Sequence, residues 1–252
     1  MNLLTLEHVS KRFGGVSAVD DVSLEVIKGS LTGLIGPNGS GKTTLFNLIS
    51  GFHKLDAGRV IFNGTDISGK RPHEIFKAGI YRTFQSPQIV PRLSVAENML
   101  LAGRDQLGEG LFSSFFKRRT WSEQESKLID KALDYLKFLK LEPFADELPV
   151  ILSGGQLKLL EVGRALMSDS KILLLDEPAA GVNPSLALDI FELLEHLRSE
   201  RDATIFVIEH KMDLLLQKVD YVYVMNKGKL FFKGAPKDIT QEQSVIDVYL
   251  GE

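Results

Sequence analysis

Apolar and polar positions along the first third of the chain follow two strand patterns. Leu3 to Val9 and Val22 to Ile27 alternate, as strands with one buried face do, and Leu31 to Ile35 runs straight into a glycine-rich loop. Arg59-Val60-Ile61-Phe62 stops at the turn pair Asn63-Gly64. This part reads as a β-rich lobe around one strand-loop-helix unit. A second style begins near Pro87, where Ser94-Val95-Ala96-Glu97 and Ser122-Glu123-Gln124-Glu125 form capping-box patterns that start helices. The second opens a stretch in which Leu128, Ile129, Ala132, Leu136 and Leu139 recur at helical spacing. Beyond it, Ile172 to Leu175, Thr204 to Ile208 and Tyr221 to Met225 read as buried strands with helices between. The expected fold is therefore α/β with a mainly parallel sheet. Its organisation is a single domain in which residues 1–86 and 166–252 form the core and residues 87–165 a helical insert.

Composition narrows the partners. With 252 residues and 44% apolar content, the chain can bury one large core, with or without a small lobe. A net charge of -3 gives no cationic excess for a polyanion, so no nucleic-acid partner is expected. The absence of cysteine excludes disulfides, thiolate metal sites and a cysteine nucleophile. The opening Met1 to Glu7 lacks a basic n-region, and no uninterrupted apolar stretch approaches the roughly 20 residues that span a bilayer. The expectation is a chain on the cytoplasmic side that reaches a membrane only through a partner.

Three motifs carry chemistry. Gly36-Pro37-Asn38-Gly39-Ser40-Gly41-Lys42-Thr43-Thr44 is a phosphate-binding loop between an apolar strand and an apolar helix start. Its glycines let successive N–H groups face a phosphate, Lys42 brings an ammonium to the β- and γ-phosphates, and the Thr43 hydroxyl suits Mg²⁺. Asp176 and Glu177 end the apolar run Leu173-Leu174-Leu175, at the carboxyl edge of a parallel sheet where ligands bind. Adjacent strand residues face opposite ways, so Asp176 is assigned to the metal and Glu177 to the attacking water unless the chain bends there. A cap of a following helix is the structural alternative for this pair. Leu152-Ser153-Gly154-Gly155-Gln156 is a second anion-binding loop, in which Ser153 can cap a helix with Leu159, Val162 and Leu166 on its apolar face. One site rarely needs two such loops, which points to completion by another copy or a partner.

In this order the three motifs resemble those of the ATP-binding subunits of ABC transporters, over essentially the whole chain. The resemblance implies a P-loop NTPase (RecA-like) core, an N-terminal antiparallel β lobe and an inserted α-helical lobe that carries the second loop. It implies ATP and Mg²⁺ as ligands, and two subunits, identical or paralogous, docked head to tail over two nucleotides. The nucleotide would be held by Phe13, Gly36, Asn38, Gly39, Ser40, Gly41, Lys42, Thr43 and Thr44. Ser153, Gly154, Gly155 and Gln156 of the partner subunit would complete that site. Thr43, Gln85 and Asp176 would hold the metal, and Glu177, His210 and Lys42 would serve hydrolysis. Gln85 matches the glutamine that reports nucleotide state, His210 the histidine that meets the γ-phosphate, and Phe13 the aromatic that stacks on adenine. Asn183 stands where aspartate is usual; read from the residues alone it is a helix cap before Pro184.

Several strings, Tyr81-Arg82-Thr83-Phe84-Gln85, Ala179 to Pro184, Ile208-Glu209-His210 and the ending Val248 to Glu252, are similar to those of branched-chain amino-acid importer ATPases. The insertion Gly110 to Trp121 resembles that branch too, and its aromatics and cations would suit either packing on the helical lobe or docking near membrane subunits or lipid. The implied partners are transmembrane permease subunits and, indirectly, a solute-binding protein, with the chain peripheral on the cytoplasmic face of the membrane. The alternatives are the ATPase of a lipopolysaccharide-type exporter or another small-solute importer, a soluble ABC ATPase without a transport role, and a small-molecule kinase that would need no second loop.

Overall fold

The computed structural model describes residues 1–85, 88–103 and 118–239 with Glu242 and Val245, and only the backbone of residues 118–125. Gly110 to Lys117 and the ending Val248 to Glu252 lie outside the described residues. The chain divides into two compact units, Met1–Gln85 with Lys171–Glu252, and Ser86–Ser170.

The first unit holds two sheets. Strands β1 (Asn2–Phe13), β2 (Val16–Ile27), β4 (Ala57–Phe62) and β5 (Thr65–Asp66) form an antiparallel sheet in the order β2-β1-β4-β5. The other is six-stranded, ordered β10-β9-β3-β8-β7-β6, from β3 (Leu31–Ile35), β6 (Ile80–Arg82), β7 (Ile172–Asp176), β8 (Thr204–Ile208), β9 (Tyr221–Asn226) and β10 (Lys229–Gly234). Its pairs are parallel except β9 with β10. Strands β3, β7 and β8 are buried along their whole length, which explains the apolar runs of β7 and β8; β3 also buries Thr32. The expected fold class is the observed one. Tyr223 joins the sheets: its hydroxyl donates to the Glu25 carbonyl at 2.7 Å and accepts from the Glu25 N–H at 3.0 Å.

Strands β1 and β2 are longer than the alternation predicts. Register shifts interrupt their pairing, and His8 and Asp21 take positive φ of 51° and 56°. Each bulge resets the period of two, so the pattern is lost in sequence while pairing continues to Phe13 opposite Val16.

Helices α1 (Lys42–Ile49), α2 (Pro72–Ala78), α6 (Pro184–Arg201), α7 (Met212–Leu216) and α8 (Pro236–Ile239) belong to this unit. Leu34, Leu45, Phe46, Leu174, Phe206, Ile208 and Met225 meet in the core beneath the strand ends. The Phe46 and Phe206 rings lie 5.1 Å apart.

The second unit packs α3 (Val95–Leu100), α4 (Arg118–Phe138) and α5 (Gly154–Met167) on one another. Gly163 sits at their closest approach, where an added Cβ would stand 2.7 Å from side-chain atoms of both Leu139 and Met99. Ser94 caps α3 as expected, accepting from Glu97 N–H at 3.1 Å while the Glu97 carboxylate accepts from Ser94 N–H at 2.7 Å. Buried Asn98 closes the preceding turn, with its amide donating to the carbonyls of Val90, Leu93 and Ser94.

Two helical expectations need correction. The described part of the long helix reaches back to Arg118, so Ser122 is interior to it; Arg118 and Arg119 are good helix formers and carry the helix past the capping pattern. On that helix Ala132 and Leu136 are buried, as is Leu139 just past its end, but Ile129 is 40% exposed and Tyr135 is buried instead. In α5 Leu160, Val162 and Leu166 are buried, and so are residues on its other sides, while Leu159 is half-buried.

Candidate nucleotide and metal site

Parallel strands β3, β8 and β7 lie side by side, so the segments leaving their carboxyl ends gather at one edge. The loop after β3 is the phosphate loop. An added Cβ would stand 2.1 Å from the Met225 carbonyl at Gly36 and 2.2 Å from the Ala18 carbonyl at Gly41, so neither position admits a side chain. Gly41, at φ 105°, is the N-cap of α1 and starts it without a side-chain cap, leaving the first N–H groups for a ligand. Lys42 is buried and folded back: its Nζ donates to the carbonyls of Gly36 at 2.6 Å and Pro37 at 2.9 Å. Asn38, Gly39 and Thr43 are exposed, Thr44 is half-buried and Ser40 is buried.

At the end of β7, Asp176 is 2% exposed. Its N–H donates to Thr83 Oγ1 at 3.0 Å, and its Oδ2 accepts from Arg82 Nη2 at 3.2 Å. Burial pushes the Asp176 carboxyl above its ordinary value, against the opposing pull of Arg82 and Lys42. Glu177 leaves the strand with φ 53°, so the chain does bend here and strand alternation no longer separates the two carboxylates; their different partners do. A turn follows, closed by Ala180 N–H on the Glu177 carbonyl at 3.1 Å, so the pair does not cap a helix. Glu177 Oε1 lies 2.8 Å from His210 Nε2, and its Oε2 accepts from Gln85 Nε2 at 3.1 Å. Gln85, Glu177 and His210, distant in sequence, thus share one cluster.

Glu209, which the motif reading passed over, organises the segments on both sides. It is 1% exposed, and its carboxylate accepts from the N–H groups of Ala179 at 2.8 Å and His210 at 2.9 Å. The signal was present in sequence, as a carboxylate directly after five buried strand positions. Arg82 and its partners Asn47 and Ser50 were likewise not assigned.

Phe13 ends β1 and is 45% exposed, with His53 edge-on at 5.1 Å and Lys11 Nζ at 5.5 Å from its ring centre. Lys11 is held by Asp56 at 2.6 Å. Asn183 caps α6, its Oδ1 accepting from Leu186 N–H at 2.9 Å with Pro184 at the first helical position. In the helical unit Ser153 caps α5 through a reciprocal box: Gln156 N–H donates to Ser153 Oγ at 3.3 Å and Ser153 N–H to Gln156 Oε1 at 2.8 Å. Ser153 and Gly154 are exposed there, Gln156 is half-buried and Gly155 is buried.

The residues fit Mg²⁺. Asp176 Oδ1 is buried and has no hydrogen-bond partner, and among the described residues no group of three or more His, Cys, Asp or Glu could hold a metal by itself. A single carboxylate with a hydroxyl is the donor set of a cation that also takes substrate phosphates.

Residues 19–180 match the family model described as ABC transporter. The chain is 45% identical to the "Probable branched-chain amino acid transport ATP-binding protein LivG" of Archaeoglobus fulgidus, over 100% of this chain and 96% of that protein. Among solved structures, the ADP conformation of MJ1267, an ATP-binding cassette of an ABC transporter, is 42% identical with a TM-score of 0.85 and full coverage of both chains. A dimeric post-hydrolysis state of the cassette MJ0796 bound to ADP and Pi is 26% identical with a TM-score of 0.76, over 92% of this chain and 98% of that one. With its family model matched across the phosphate loop, the second anion loop and the Asp176-Glu177 pair, the chain belongs to the ABC transporter family.

Proposed function

We propose that the chain is the ATP-hydrolysing subunit of an importer of branched-chain or other hydrophobic amino acids. It works as a head-to-tail pair on the cytoplasmic face of the membrane, bound to transmembrane permease subunits that take the solute from a solute-binding protein. The observation that carries hydrolysis is the Gln85–Glu177–His210 cluster at the sheet edge that also bears the phosphate loop and Asp176. The cargo is supported by full-length similarity to a protein named for branched-chain amino-acid transport. No observation favours the exporter, the soluble ATPase or the kinase. No helix among the described residues is long and apolar enough to cross a membrane, which agrees with a peripheral subunit.

The phosphate loop binds ATP through its N–H groups, and Lys42 turns from its own carbonyls to the β- and γ-phosphates. Thr43, Asp176 and Gln85 would hold Mg²⁺, which when bound supplies positive charge to the phosphate oxygens. Glu177 orients the attacking water or accepts its proton. His210 and Gln85 hold one carboxylate oxygen each and so fix the orientation of the Glu177 side chain. His210 then reaches the γ-phosphate, Phe13 stacks on adenine, and Ser153, Gly154, Gly155 and Gln156 of the partner subunit cover the γ-phosphate. The γ-phosphate touches both subunits, so ATP favours the closed pair and hydrolysis releases it. Residues 1–86 and 166–252 act in this scheme as the nucleotide-binding core and residues 87–165 as the lobe that moves the permease.

The test is to tag the chain in its native cell, solubilise the membranes in mild detergent and identify what copurifies. Polytopic membrane proteins and a solute-binding protein that takes leucine, isoleucine or valine are expected. Recovery from the soluble fraction alone would refute the transport role.

A further inference from the structure

Arg82 is the most deeply buried cation of the ion pairs in the first unit, with its side chain 4% exposed against 2% for Asp176. Its guanidinium is gripped on two sides. Nη1 donates to Asn47 Oδ1 at 2.6 Å and Ser50 Oγ at 3.0 Å, while Nη2 donates to Asp176 Oδ2 at 3.2 Å. Ser50 caps α1 and its hydroxyl donates to the Phe46 carbonyl at 2.6 Å, so its oxygen is available to accept from Arg82. The rings of Phe84, Phe46 and Phe52 stand 5.2, 5.9 and 5.9 Å from the guanidinium carbon. One side chain on β6 therefore links the helix that follows the phosphate loop to the end of β7.

As a device for stability this is poor. Arg82 Nε and Asp176 Oδ1 are both buried without a hydrogen-bond partner, and buried ion pairs rarely repay their desolvation. The arrangement makes sense if the open oxygen has a use. We propose that Arg82 is a positioning residue for the metal-binding carboxylate: it holds Asp176 by Oδ2 and so reserves Oδ1 for Mg²⁺. The proposal rests on the assignment of Asp176 to the metal. A lysine cannot reproduce it, because a single ammonium lacks the fork that reaches Asn47 and Ser50 on one arm and Asp176 on the other. Partners that orient a metal ligand typically change metal affinity by about 10- to 100-fold when lost.

The experiment measures ATP affinity of the purified full chain in EDTA and in excess Mg²⁺, and Mn²⁺ affinity of the ATP complex by electron paramagnetic resonance. In Arg82→Met the gain in ATP affinity from Mg²⁺ should shrink by about 10- to 100-fold, with the EDTA value nearly kept and Mn²⁺ binding weakened alike. Arg82→Lys should fall between Met and wild type. Equal losses with and without metal, an unchanged metal-dependent gain, or a larger one would overturn the proposal. If Arg82→Met loses its cooperative melting, Ser50→Ala, which keeps the pair and removes one grip on it, decides: a smaller loss of the same metal-dependent gain supports the role, and no loss refutes it. Asp176→Asn separates the two levels. If it keeps the metal-dependent gain, the assignment of Asp176 itself fails; if it loses the gain while Arg82→Met keeps it, only the positioning role fails.

Discussion

Glu177 Oε1 and His210 Nε2 lie 2.8 Å apart across 33 residues of sequence, because β7 and β8 are adjacent parallel strands that end together. The contact ties the residue assigned to water to the one assigned to the γ-phosphate. His210→Ala removes a hydrogen bond to a charged group, worth about 1.5–3 kcal/mol, so turnover should fall roughly 10- to 100-fold. ATP affinity should be nearly unchanged. Steady-state hydrolysis beside equilibrium binding of a fluorescent ATP analogue checks both.

Lys42 has a different signature. Its ammonium now rests on the carbonyls of Gly36 and Pro37, and ATP offers it charged oxygens instead. Lys42→Ala should weaken nucleotide binding itself by about 2 kcal/mol, roughly thirtyfold, as read by calorimetric titration. Full ATPase activity in that variant would contradict its role.

Asp176 predicts a stability cost that serves binding. Burial raises its carboxyl above the ordinary value, so its contribution to stability is present at low pH and is lost as pH rises through the raised value. Asp176→Asn cannot ionise and keeps an oxygen for Arg82. Without metal or nucleotide its melting temperature relative to the wild type should rise as pH increases from the ordinary carboxyl range toward neutral, on top of a pH-independent cost for leaving the Arg82 charge without its counter-ion. Mg²⁺ with ATP should then stabilise the wild type far more than the variant. A difference between variant and wild type that does not change with pH would contradict this.

Ser153 caps α5, and in the proposed scheme it also faces the partner's γ-phosphate; the two can be separated. Ser153→Ala removes the cap of α5 and should cost about 1 kcal/mol in chemical denaturation. Ser153→Asp keeps a capping oxygen but sets a negative charge against the partner's γ-phosphate. It should therefore fold with near-normal stability and fail to pair in ATP, as light scattering would show.

Much of this was legible in the chain, for reasons that differ by element. Strands β7 and β8 were plain because they are buried on both faces and carry apolar runs of four residues, and β3 because its apolar positions lead straight into the glycine loop. Ser94, Ser153 and Asn183 were readable as caps because capping is local chemistry. The far ends of β1 and β2 were not, since the bulges at His8 and Asp21 break the alternation. Ser122 misled for the converse reason: a local pattern was present, but the residues before it favour helix too. The site was legible as motifs, but not as a network. Nothing local ties Arg82 to Asp176 across 94 positions or Glu209 to Ala179 across 30, and only strand adjacency brings them together.

The most direct test of ATP-driven pairing is the mass of Glu177→Gln in sedimentation velocity with ATP or ADP. Loss of the carboxylate that acts on water should slow hydrolysis by about 100-fold or more while ATP binding is kept. The variant should therefore run as a dimer in ATP and a monomer in ADP. Equal dimer populations with the two nucleotides would contradict closure by the γ-phosphate.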